Sequence, residues 1–546
     1  MSGDRVWLLE VSLGGRELRL STRPVIVDGK AYEGTLDRVE LRETLDGIGR
    51  MPSEREAQIS LVPGASLSSY GQFAGRATLR LWRGSGPGRV EIIGNMRATE
   101  VSGPTEPVSF TLAAEPYADQ GSTHDPRDQV TSATWPLARD GDEGAWYARI
   151  FGTPGRFVFR GSARTDETVR LPVIVTEGTG THPDRALRLL LCDAANHEGP
   201  DDVSVVAIQQ NGTSVSDIFG PLGSRPAAVK IAAPDGREVW ALDCSGSSAA
   251  FRSATQFYGV VLSDQAIAYP QAAVSPVRTT GQLLETLARE SGIQIDAGEW
   301  ARVAETLPYR VGLVVREPTP PMDIALDIME SLPVALYSTP SGLGIVRWPY
   351  DATRADAVGR LVEAVNCSRL SGVRLSREAG DGASAVIVEY GYAEIYDTYG
   401  DSLALSQDVY EAASDDKVSS DVWAATADQT GTVRTVQAPW LVDDRGALEI
   451  ARWVMRRSSL GAREIDLMVD ADIADTLLLG SVVLVLIPSC GLDDAVAIVA
   501  GRTLTDSSAW PMRLVLLSPV GLDVQQRPPG ASTEAPPVDP PPPQQG

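Results

Sequence analysis

Alternation of apolar and polar positions dominates the first part of the chain. In "VWLLEVSLGGRELRLS", Trp7, Leu9, Val11 and Leu13 recur at every second position up to Gly14-Gly15, and Leu18 and Leu20 resume the period beyond it. This is the pattern of a β-hairpin, since paired glycines accept the positive φ angles of a primed turn. "PVIVDGKAYEG" repeats the signal around Asp28-Gly29. "ATLRLWRGSGPGRVEIIGNM" predicts a third pair of strands, its turn marked by Gly84, Gly86, Pro87 and Gly88, and "PVSFTLAAEP" adds another strand. Strands this closely spaced favour a small barrel or sandwich, here over 1–116.

The period then changes. Residues 117–162 form a looser connector, with polar loops around "YARIFGTPGRFVFRG". Residues 163–270 mix strands such as "RLPVIVTEG" and "DVSVVAIQQNG" with a helix expected over 182–196, "HPDRALRLLLCDAAN", which predicts an inserted α+β domain. In the next segment, 271–367, a helix–strand module is expected. Leu283, Leu284, Leu287 and Ala288 form one helical stripe, Thr279 or Thr280 suits its N-cap, and Gly292 suits C′. A second helix is expected with Thr319 as cap, Pro320 at its first position, and Ile324, Ile328 and Leu332 on one face. "VALYSTPSGLGIVRWP" then reads as a hairpin.

From 368 to 520 the chain is β again, with "SAVIVEYGYAEIY" its clearest strand and one long amphipathic helix at 444–459. Ala447, Leu448, Ala451, Val454 and Met455 make the helix's apolar face. Asp443 or Asp444 suits its positive N-terminal end, and Arg456 with Arg457 its negative C-terminal end. Gly461 ends it. Four strands follow, "EIDLMVD", "SVVLVLIP", "AVAIVAGRTL" and "MRLVLLSP". Residues 521–546 hold eight prolines and no apolar period, so a disordered or polyproline tail is expected. The fold class is therefore mainly β with α+β modules in a multidomain chain.

Length agrees with this division, because 546 residues at roughly 100–200 per domain give about three to five units. Hydrophobic content of 43% and charged content of 22% fit a globular chain. No apolar run approaches the roughly 18 residues of a spanning helix, and the start lacks the pattern of a secretory signal, so a protein made in a cytoplasm without stable membrane insertion is expected. Cys192, Cys244, Cys367 and Cys490 are widely spread without a CxxC, which favours free thiols over a disulfide or zinc framework. The net charge of −24 disfavours nucleic-acid binding.

Catalytic signals are scarce. His124, His182 and His197 have no metal-ligand spacing, and there is no GxSxG elbow, P-loop or GxGxxG after a strand. Asp140, Asp142 and Glu143 lack the spacing of a calcium loop and read as a solvated turn, as do Asp470, Asp472 and Asp475. Asn211-Gly212-Thr213 matches a glycosylation sequon but reads as a plain turn, and the 11 tryptophans are scattered singly, as packing residues are. A carboxylate pair for glycoside hydrolysis stays open, since its separation is a three-dimensional fact. No catalytic, cofactor-binding or metal-ligating residue is assigned, and no cofactor is expected.

Three stretches carry a family likeness. "LSTRPVIVDGKAYEGTL" resembles the opening of the baseplate hub proteins of tailed bacteriophages and gene transfer agents. "LLETLARESGIQID" with "PPMDIALDIMESLPVALYSTPSGLGIVRWP" resembles their middle module. "ALEIARWVMRRSS", "TLLLGSVVLVLI", "AVAIVAGRTL" and "MRLVLLSP" resemble their closing barrel. The resemblance implies two related β-barrels whose three-fold repetition makes a six-fold-like ring, with the 444–459 helix across one barrel's outer side. It implies a homotrimer at the virion tail tip that closes the tail tube. The implied partners are a distal tail protein ring, a tape measure protein and a central fibre or tip protein, and DNA would pass an acidic lumen without specific binding. The 163–270 insertion has no counterpart in that pattern. A tail-tip adhesin for surface glycan and a cell-wall or polysaccharide hydrolase are the competing readings. An adhesin would show repeats, and no internal period of 20–50 residues is present.

Overall fold

The computed structural model of the chain describes residues 5–517 except 14–15, 46–51, 53–55, 63–73, 84–85, 101–107, 115–120, 139–141, 153–155, 159–164, 172, 180–181, 194–204, 211–212, 215–226, 234, 244–257, 263–276, 340, 376–384, 394–397, 407–432 and 460–462. The protein is mainly β. The N-terminal strands are β1 (Arg5–Leu13), β2 (Arg16–Ser21), β3 (Val25–Val27), β4 (Lys30–Gly34), β5 (Leu36–Thr44), β6 (Glu56–Leu61), β7 (Ala74–Arg83), β8 (Gly86–Glu100) and β9 (Val108–Ala114). Their hairpins follow the turn chemistry. Leu13 pairs with Arg16 across the Gly14-Gly15 position, and Val27 pairs with Lys30 around Asp28 (φ 51°) and Gly29 (φ 74°), both left-handed as a type I′ turn requires.

Connector and insertion supply β10 (Arg149–Gly152), β11 (Arg156–Val158), β12 (Thr165–Leu171), β13 (Val173–Thr179), β14 (His182–Asp193), β15 (Val205–Gln210), β16 (Thr213–Ser214), β17 (Ala227–Ala232), β18 (Glu238–Asp243) and β19 (Tyr258–Leu262). The insertion strands lie in two sheets, β11-β12-β19-β15-β16 and β13-β14-β18-β17. The helix expected over 182–196 is strand β14. Its apolar run is compatible with either period, and pairing with β13 on one edge and β18 on the other decides for the strand.

The middle module contains α1 (Thr280–Glu290), α2 (Ala297–Thr306), β20 (Gly312–Val315), α3 (Pro321–Glu330), β21 (Val334–Thr339) and β22 (Gly342–Arg347). Thr279 caps α1 in a reciprocal box with Gln282, and Gly292 (φ 74°) follows its end. Helix α3 begins one residue later than its sequence predicts, with Pro320 at the N-cap and Pro321 at the first turn. The residue before a proline is pushed into an extended conformation, so Pro320 cannot itself be helical.

Beyond the module come β23 (Gly359–Val362), β24 (Cys367–Arg369), β25 (Arg374–Leu375), β26 (Ala385–Ala393), β27 (Thr398–Ser406), β28 (Val433–Ala438), α4 (Asp444–Ser459), β29 (Arg463–Asp470), α5 (Ala471–Ala474), β30 (Val482–Ile487), β31 (Leu492–Thr505) and β32 (Ala509–Leu516). Strands β24, β29, β32, β31, β30 and β23 are neighbours in that order, and a bridge between Glu363 and Cys367 brings the two ends of the series together. Helix α4 does not lie across the outer side of this strand set. It packs on β26 and β27, and Ala447, Ile450, Ala451, Trp453, Val454 and Met455 share a core with Val386, Val388, Leu403 and Leu405 and with α1–α3. The apolar face of α4 is wide enough to need that deep a partner. Among the described residues no helix is long and apolar enough to cross a membrane.

Candidate functional site

The two ends of the chain meet in one sheet. Strand β31 is long enough to serve two neighbours on one edge: β30 pairs along Leu492–Ile498, and β5 takes over along Gly501–Thr505, while β32 holds the opposite edge. The result is a 16-stranded sheet. A single apolar core runs beneath it, joining Trp7, Leu9, Val39, Leu41, Ile59, Leu79 and Phe110 to Leu467, Val485, Val499, Trp510 and Leu514.

A buried ion pair marks the seam. Val39, Leu41 and Glu43 alternate onto the inward face of β5, so Glu43 is carried into the interior at the end of an otherwise apolar row. Arg502 lies directly opposite in the β31–β5 register. Its Nε donates to Glu43 Oε2 at 2.6 Å and its Nη1 to the Leu477 carbonyl at 3.0 Å, with the two side chains 7% and 8% exposed. Nearby, the Arg5 guanidinium binds Asp472 and lies 5.2 Å from the centre of the Trp510 ring. Strand β1 thereby touches the far end of the same sheet path.

Polar groups also join the connector to the module. Arg149 on β10 bonds Glu290 at the end of α1 at 3.1 Å and donates to the Thr123 carbonyl. Burial pushes the Glu290 carboxyl up, against the pull of Arg149. His124 is buried, with Nδ1 2.9 Å from Thr123 Oγ1 and Nε2 2.9 Å from the Tyr147 carbonyl. Tyr147 packs with Val130, Trp135, Leu190, Val239 and Ala241, which fastens the connector to the insertion through apolar contact. Within the module, Tyr337 donates its hydroxyl to Glu299; burial raises both groups, and their hydrogen bond raises Tyr337 while lowering Glu299.

Several of the residues weighed as candidate chemistry have structural roles where they are described. Asp470 caps α5 by accepting from Asp472 N at 2.9 Å, and Asp475 is buried, so this run is not the wholly solvated turn its sequence predicts. Asp142 is also buried rather than solvated, Glu143 accepts from Ser132 N at 3.2 Å, and Asp140 lies outside the described residues. His182 begins β14, whereas His197, Cys244 and Asn211 lie outside the described residues. Cys367 and Cys490 are free; burial, then the Glu363 charge, pushes the Cys367 thiol up to about 11. Among the described residues no group of three or more His, Cys, Asp and Glu is placed to hold a metal ion. Sequence reasoning missed the Glu43–Arg502 pair, although a charge at an inward strand position was a visible signal.

These features amount to two large cores, a closed seam within one of them, and an insertion fastened through the Tyr147 core. No family model matches the chain, and no curated protein does. Solved structures similar to it include the 43 kDa tail protein of prophage MuSo2 from Shewanella oneidensis, at 10% identity and a TM-score of 0.38, covering 94% of this chain and 98% of that one. A tail protein from Neisseria meningitidis MC58 matches at 10% identity and a TM-score of 0.38, covering 93% and 96%. A chain of the native gene transfer agent virion matches at 12% identity and a TM-score of 0.39, covering 69% and 85%. At this level of likeness none of them defines what this chain does.

Proposed function

We propose that the chain is a structural hub of a phage-type tail tip. The observation that carries this reading is the seam. Residues from both ends of the chain complete one sheet and one core, which joins the β part into a single wall, and the helix–strand module has a core of its own. Such a wall suits a ring that transmits load and fixes neighbours. Order of elements supports the same reading, since the hub-like opening, middle and closing stretches each form the elements their sequences predict.

In this role the protein is a homotrimer that closes the tail tube. It joins a distal tail protein ring and a tape measure protein to a central fibre or tip protein. The N- and C-terminal strand sets act as related barrels, 1–116 and 368–520, that alternate around the ring. Three copies of −24 amount to −72, and an acidic lumen of that kind lets DNA pass without adhering. The tail at 521–546, outside the described residues, serves as a docking segment through its prolines.

Image reconstruction of the purified protein and of the particle tests the reading. Three-fold symmetry at the tail tip is the expected result, and a monomer absent from the particle overturns it. The protein is expected to clear no zone in peptidoglycan or polysaccharide zymograms. Clearing that disappears on changing one Asp or Glu pair would put a hydrolase in the hub's place.

A further inference from the structure

The hydrogen-bond roles around His124 are fixed by chemistry. The Tyr147 carbonyl only accepts, so Nε2 carries the proton of the neutral ring and Nδ1 is left as an acceptor. Thr123 then donates its hydroxyl to Nδ1, and the same oxygen accepts the Thr319 N–H at 3.1 Å. A directed line of bonds therefore runs from the module at Thr319, through Thr123 and His124, to Tyr147 in the core shared by connector and insertion. The ring is 5% exposed, so no water can substitute freely for either partner.

A second proton would reverse one bond and add one charge. Nδ1 would become a donor, and the Thr123 hydroxyl would have to turn toward its other acceptor, the Glu317 carbonyl, at 3.4 Å. The new charge would face the Arg149 guanidinium of β10. The carboxylates on that side are engaged already, Asp128 by Arg237 and Glu290 by Arg149. Trp146 stands edge-on at 5.7 Å, the Val315 carbonyl of β20 is a second backbone acceptor for the ring and favours its proton, and Glu317 is exposed.

We propose that His124 is a proton-operated latch: neutral, it tightens the hold of the connector on the helix–strand module beside the β10–β20 ladder and Phe151, and protonated, it loosens that hold. Burial above all, with the Arg149 charge, holds the ring below the ordinary imidazole range, against the Tyr147 and Val315 carbonyls and Asp128. For a base whose folded value is depressed, the unfolded or opened state binds the proton more readily. The latch's contribution is therefore complete above about pH 6.5 and is lost as pH falls from there toward the folded value. This does not depend on the hub reading.

The test uses the full chain. Hydrogen exchange at the imidazole C2 position, read by mass spectrometry, titrates each histidine in the native protein, and His124 is expected to titrate below 6.5. Amide exchange of peptides spanning 121–152, corrected for the intrinsic effect of pH, is expected to accelerate between pH 7.5 and 5, by ~tenfold for each pH unit by which the measured His124 midpoint falls short of 6.5. His124→Gln keeps an N–H for Tyr147 but takes up no proton, so it should lose the acceleration. A His124 titration at or above 6.5 overturns the proposal, as does a Gln variant with unchanged acceleration. The first measurement stands even if the variant fails to fold.

Discussion

Replacing Arg502 with methionine keeps most of the side chain's length and removes its charge. Glu43 then loses its cation, and the Leu477 carbonyl loses a donor at 3.0 Å, at a place where both paired side chains are under 10% exposed. Removing one member of a buried pair costs about 3–5 kcal/mol, because the remaining charge stays desolvated without compensation. At 1.36 kcal/mol per tenfold, amides protected by the seam should exchange on the order of 10²- to 10⁴-fold faster. Leu45 N, which bonds the Ala500 carbonyl at 2.9 Å, is the natural reporter, and local exchange suits a multidomain chain better than one melting midpoint. The double variant Arg502→Met with Glu43→Met removes both charges and should recover most of the loss. A single substitution costing less than ~1 kcal/mol, or a double one costing the sum of the two singles, would refute the view that this pair secures the seam.

Gly152→Ala should weaken the β10–β20 ladder, since Gly152 has φ +66° and a Cβ there would lie 2.0 Å from the Val311 carbonyl; a loss of about 1–3 kcal/mol or more, seen as faster exchange of Phe151 and Leu313 amides, is the expected outcome. Glu299→Gln should raise the melting temperature at pH 8. Burial raises this carboxyl's folded value, so the wild-type chain loses stability as pH rises from about 4.5 through that value; the variant's advantage should vanish below pH 4.5.

What the sequence made legible was local. Asp28-Gly29 could only be a tight turn, and Thr279 with Gln282 already spells a capping box. The same logic would have found α2, whose cap Asp296 precedes Glu299 by three positions, yet no helix was predicted there. Along β14, Leu187, Leu190 and Leu191 satisfy a helical spacing as well as a strand, and only pairing with β13 and β18 breaks the tie. The candidate site was least legible of all. Glu43 and Arg502 are 459 positions apart, and nothing local says that an inward glutamate near one end awaits an arginine near the other. For α4, the amphipathic face announced that it packs, and left open on what.

The two junctions differ in extent, and that difference says where the molecule yields. At the seam, a backbone ladder, a shared apolar core and a buried ion pair act together, and β31 leaves no free edge between β30 and β5. Opening it would expose apolar surface on both sides. Between connector and module, the ladder runs from Arg149 to Gly152 with Phe151 set into the module's core, and beside it stand a line of polar bonds through Thr123 and His124 and one ion pair. Polar contacts exchange for water at little net cost, whereas apolar burial does not. Acid or mechanical load should therefore move the connector, with the insertion fastened to it by the Tyr147 core, while the wall built from the chain's two ends stays closed.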